Sequence, residues 1–274
     1  MQQNIKKQSF IKKNYIPILI TLAFFFAISY IAFFHYEYTT IYDGLSYLRY
    51  GEQIISGTGH NVQIVNAPMG GPVIYATVNH FIQDGFLTLK LFSIFGATGL
   101  VFISYFVIKN IFNKKIAILG QLLIVFSPAL QARAVLATNE LLALLLIISS
   151  FYFLTKNNLK KTDLIFSAIL IGLALDIRFQ AIAIFFSVII FLLIKRSSLR
   201  KKFAEIILFS IVVFLVVAPV MAYNYYTHDS FFEGTNINFY NYLETNKSQT
   251  TESLNTNQFY TIESNVFIQE YLQN

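Results

Sequence analysis

Residues 15–34, YIPILITLAFFFAISYIAFF, run for twenty positions without a charge. A helix needs roughly 20 apolar residues to cross the hydrocarbon core of a bilayer. Inside that core every backbone polar group has to be satisfied internally, which a helix does. A chain that repeats such runs is therefore committed to a bundle of membrane helices. Further runs lie at about 86–108, 116–131, 136–154, 162–177, 179–194 and 203–222, giving about seven expected spans. Segment 72–83, PVIYATVNHFIQ, is apolar but short, and reads as a juxtamembrane or re-entrant helix. The expected fold is all-α: a polytopic transmembrane bundle, residues 1–222, with juxtamembrane helices in a first outer loop, residues 35–85. A polar extracytoplasmic tail, residues 223–274, follows it.

Composition agrees. The chain is 55% hydrophobic and 12% charged, where a soluble domain carries about 25% charged residues. It has no cysteine, which excludes disulfides, a thiolate nucleophile and zinc–thiolate sites. The formal net charge of +6 does not indicate nucleic acid, because in a membrane chain the placement of basic residues outweighs their sum. Lys6, Lys7, Lys12 and Lys13 precede the first run. Lys109, Lys114 and Lys115, then Lys156, Lys160 and Lys161, then Lys195, Arg196, Arg200, Lys201 and Lys202 fill alternate loops. That is 15 of the 20 Lys and Arg residues on one side. The positive-inside rule assigns that side, with the N-terminus, to the cytoplasm. No cleavage pattern follows the first run, so it reads as a retained span of an integral protein of the plasma or inner membrane.

Charges inside spans are costly and tend to be functional. Lys90, Arg133, Glu140, Asp176 and Arg178 all fall near the outer end of a helix or in an outer turn, and Asp43 and Asp84 lie on the same side. The midplane, where an ion-coupled transporter would hold its coupling groups, has no such residue. Taken singly, each charge can be explained by snorkelling or turn chemistry; taken together, they form one outward layer. Asp163 and Glu205 sit at cytoplasmic helix starts, where a carboxylate complements the helix dipole.

In the stretch TTIYDGLSYLRYGEQIISGTGH, residues 39–60, the spacing after Asp43 is helical, with Ile41, Leu45, Leu48, Ile54 and Ile55 forming an apolar stripe bordered by Tyr47, Arg49 and Tyr50. It reads as an interfacial helix with tyrosines at headgroup level. Asp43 can be its N-cap, or a general base that takes a proton from an acceptor hydroxyl. A capping carboxylate keeps a spare oxygen, so the roles are compatible. Glu37 and Glu52 are weaker candidates.

YDGLSYLRYGEQIISGTG and NAPMGGPVIYATVNHFI together resemble the first outer loop of the GT-C integral-membrane glycosyltransferases, of the protein O-mannosyltransferase and aminoarabinose transferase type. Residues 89–130, 132–154, 171–185 and 218–236 resemble the family's later spans and loops. The resemblance implies transfer of a sugar from a polyprenyl-phosphate carrier on the outer face to a hydroxyl or amine of a protein, lipid or glycan. It places Asp43 at the catalytic first-loop carboxylate and Glu140, or neighbouring Asn139, near an acidic position of the second outer loop. Asp84 is a second acidic candidate. It makes Arg133 and Arg178, with Lys90, the expected ligands of the lipid phosphate. Tyr47, Tyr50, His80 and Asn224 are substrate-pocket candidates. Where members of this type follow the first-loop Asp with another acid, this chain has Gly44. Members are also usually longer, so the expectation is a short variant, a truncated member, or one part of a split protein whose C-terminal helices a partner chain supplies.

One base and a phosphate leaving group suit single displacement with inversion. No Gly-rich phosphate loop points to a nucleotide sugar. No cofactor is expected: His35, His60, His80 and His228 lie on the outer side and could meet a divalent cation, but no HxxxH or HExxH spacing is present. The competing classes are a transporter or flippase and a non-catalytic membrane subunit or inactive fragment.

Overall fold

The computed structural model describes residues 10–35, 42–57, 68–136, 140–156, 158–195 and 198–228, residues 11, 13, 42, 43, 227 and 228 by their backbone alone. The chain divides into two compact units, residues 1–234 and 235–274, and all the described residues belong to the first. Those residues are helical. α1 is Phe10–Phe34, α2 Tyr42–Ile55, α3 Gly70–Ile82, α4 Gly85–Ile111 and α5 Lys114–Val125. α6 is Pro128–Val135, α7 Glu140–Leu154 and α8 Lys161–Ile177. A 3-10 turn, Phe179–Ala181, leads into α9, Ile182–Ile194, and α10 is Leu199–His228.

Among the described residues three helices are long and apolar enough to cross a membrane: Asn14–Phe34, Gly85–Ile111 and Leu199–Tyr226. α5 and α6 together make a fourth if the bent pair counts as one span. α7 and the segment Phe179–Ile194 are apolar but shorter. Large side chains such as Phe26, Phe214, Leu215 and Ile194 are exposed, as lipid-facing positions of an integral membrane protein should be. The interior is built from α4 against α1 and α7, α7 against α8, and α8 against α10. Ile28, Ile94, Val101 and Leu141 fill one core region; Leu164, Ile171, Leu192 and Phe209 fill another.

Two expectations change. The run 116–131 is not one straight span, because α5 and α6 meet at a bend of 54°. Pro128 has no N–H to donate and disfavours helical backbone at the residue before it. Ser127 there is extended and caps α6, its hydroxyl accepting from the Leu130 N–H at 3.5 Å. The last helix also continues past residue 222 to His228, since no breaker follows Pro219 in that stretch.

α2 and α3 are the expected short helices of the first loop, and they pack on each other. Gly51 makes this possible: a Cβ there would lie 2.0 Å from the Pro72 carbonyl oxygen. α3 ends at Gln83, whose left-handed backbone (φ 57°) turns the chain into α4. Asp84 then caps α4, accepting from the Leu87 N–H at 3.0 Å.

Candidate active site

Three of the expected residues meet. Arg133 lies in the last turn of α6, and Glu140 opens α7, where the positive end of the helix dipole favours a carboxylate. Arg178 follows α8 with extended backbone, and its N–H closes that helix on the Ala174 carbonyl at 2.8 Å. Glu140 receives both guanidinium groups: Arg178 Nη1 lies 2.6 Å from its Oε1, and Arg133 pairs with its Oε2. The Arg178 Nε also donates to Gln180 Oε1 at 3.4 Å. The Arg133 side chain is 45% exposed and those of Glu140 and Arg178 26% each. The trio carries a net charge of +1 and remains open to solvent or headgroups.

α3 sits against the same end of α8. A Cβ on Gly70 would lie 2.6 Å from the Asp176 carbonyl oxygen, so glycine is what lets the N-terminus of α3 rest on the last turn of α8. Asp176 is 8% exposed, and its Oδ1 has no hydrogen-bond partner among the described residues. Further along α3, Tyr75 is 1% exposed and meets the Phe92 ring edge-on, with centroids 4.7 Å apart. Burial holds its phenol well above the usual range, nearby Tyr47 adds to this, and the Arg178 cation acts the other way. Tyr47 and Tyr50 of α2 are buried too. The Tyr50 phenol is pushed up to about 12 by burial and by the neighbouring Tyr223 of α10. A tyrosine-lined wall of α2 and α3 therefore stands next to the Arg178 corner of the arginine–glutamate group. Tyr75 and Gln180 were not singled out in the sequence, since a tyrosine on a short apolar helix and a glutamine in a turn are both ordinary there.

Other candidates stand apart or have local work. Lys90 is 1% exposed; its ammonium donates to the Ala32 carbonyl near the end of α1 at 2.8 Å and lies over the Phe33 ring. Asp84 is occupied with its cap. Glu52 Oε1 accepts from Asn79 Nδ2 at 2.9 Å, and Asn79 Oδ1 accepts from the Thr88 hydroxyl. His80 is exposed beside Phe81, and Asn224 is buried in α10. Asp43 stands in the first turn of α2. Its side chain and that of His228, with the whole of Glu37, His60 and Asn139, lie outside the described residues. Among the described residues no three His, Asp or Glu side chains cluster as a metal site would require.

Residues 66–223 match the family described as dolichyl-phosphate-mannose-protein mannosyltransferase. The chain belongs to this family. It is thus a GT-C superfamily member and a membrane glycosyltransferase by family. The match runs through α3 to α10 and takes in Arg133, Glu140 and Arg178; α1, α2 and Asp43 precede it. No curated relative matches the sequence.

Proposed function

We propose that this member of the mannosyltransferase family transfers a sugar from a polyprenyl-phosphate donor to an acceptor hydroxyl or amine. The acceptor is a protein, lipid or glycan, and the reaction takes place at the extracytoplasmic face with inversion. The observation that carries the reading is the convergence of Arg133 and Arg178 on Glu140 beside the buried tyrosines of α2 and α3. A guanidinium fork matches phosphate oxygens. The net charge of +1 suits a phosphodiester carrying one negative charge, whose isoprenoid tail lies against the apolar helices.

In the reaction Asp43 accepts the proton of the acceptor as its oxygen or nitrogen bonds the anomeric carbon. The bond from that carbon to the phosphate oxygen breaks, and the polyprenyl phosphate departs with the bonding electrons. Its oxygen gains negative charge in the transition state, where fixed cations stabilise it most. Because a single displacement needs no second carboxylate as nucleophile, Glu140 is left to position the arginines. About seven spans, with the basic loops cytoplasmic and the tail outside, complete the arrangement.

The test is sugar transfer from a synthetic polyprenyl-phosphate sugar by membranes containing the wild type or Asp43→Asn. Loss of about 10²–10⁴ in rate, with the variant inserted at normal levels, is the expected result. Full activity of Asp43→Asn removes Asp43 from the mechanism.

A further inference from the structure

The other end of α8 holds a second cleft. At about 1.5 Å per residue, Lys161 lies roughly 25 Å from Ile177 along the helix, so this cleft is remote from the arginine–glutamate group. It is a cavity of about 380 Å³ between the N-terminal turns of α8 and α10, lined among others by Lys160, Lys161, Lys201, Glu205, Leu164 and Leu208.

The acids around it are already matched. Glu205 pairs with Lys195 at 3.4 Å and with Lys201 at 3.9 Å. Asp163 takes the Lys156 ammonium at 2.6 Å and the Lys160 backbone N–H at 3.2 Å. Lys202 donates to the Leu193 carbonyl at 2.6 Å. Lys160 and Lys161 are exposed; the Lys160 charge also acts on Asp163, and Lys161 makes no ion pair among the described residues. Positive charge is therefore in excess at a cleft with leucines in its wall, where two apolar helices begin. Ile207 and Ile211, next round α10 from Ala204 and Leu208, stay exposed alongside.

We propose that this cleft binds an anionic phospholipid: the lysines take the phosphate headgroup and the acyl chains run along Ile207 and Ile211. Lysines at a bilayer surface attract anionic lipid, and a basic pocket between membrane helices concentrates that attraction. Leucine walls and flanking exposed isoleucines favour a lipid over a soluble anion, which would leave the apolar part of the cleft unused.

The experiment is native mass spectrometry of the full chain in detergent, titrated with dioleoyl phosphatidylglycerol or dioleoyl phosphatidylcholine. The expected result is preferential retention of phosphatidylglycerol, weakened about tenfold or more in the double variant Lys160→Gln, Lys161→Gln. Ala204→Trp, which fills the cleft without changing charge, should weaken it as well. Lys114→Gln with Lys115→Gln removes the same charge at the start of α5 and should leave it intact. Equal retention of the two lipids, or equal loss from the α5 control, overturns the proposal. So does full displacement of phosphatidylglycerol by millimolar inorganic phosphate, which would mark a site for free anions.

Discussion

Glu140 carries one negative charge and receives two guanidinium groups, so it decides how Arg133 and Arg178 are held before any donor arrives. Two predictions separate holding from competing. Arg178→Ala removes a proposed phosphate ligand and should raise the donor KM about tenfold. Glu140→Gln adds net positive charge yet frees the arginines to separate, and should also raise the donor KM severalfold in steady-state transfer assays. A lower KM in Glu140→Gln would show that Glu140 merely competes with the phosphate. The three residues were legible in the sequence as one outward layer of charge, because charges beside apolar runs are rare enough to single out, but their pairing was not. Lys90 was legible as a costly charge, but not its bond to Ala32, which depends on where α1 ends against α4. Tyr75 was not legible: its meaning comes from Arg178, a residue far along the chain that no local pattern connects to it.

The helices follow the apolar runs closely, since hydrophobicity and the need to satisfy backbone groups leave few alternatives. What the runs do not carry is the angle between neighbours. Pro128 bent an expected span because it disfavours helical backbone at Ser127, whose hydroxyl instead caps α6 by accepting from the Leu130 N–H. The α2–α3 pair was expected as two separate short helices, and its close packing rests on Gly51 lying against the Pro72 carbonyl. Gly51→Ala places a methyl 2.0 Å from that oxygen and should cost about 1–3 kcal/mol of stability through overpacking. It should also depress transfer, because α2 carries Asp43, Tyr47 and Tyr50. Thermal unfolding and transfer assays on the same purified variant check both effects. An unchanged melting temperature would mean that α2 lies further from α3 than described.

Across the whole molecule, charged chemistry is assigned to one end of the bundle and a lysine-rich surface to the other. Arg133, Glu140 and Arg178 mark the first end, and the far turn of α8 with Lys160 and Lys161 marks the second. In the proposed function the first end faces the exterior, where a lipid-linked sugar meets its acceptor. The chain contains no cysteine, so single cysteines report cleanly. Ser56 just after α2 and Asn158 before α8 are both exposed. In intact cells a membrane-impermeant maleimide should label Ser56→Cys and should reach Asn158→Cys only after permeabilisation. Labelling of Asn158→Cys from outside, with Ser56→Cys protected, would put the arginines and Asp43 on the wrong side of the membrane and contradict the account.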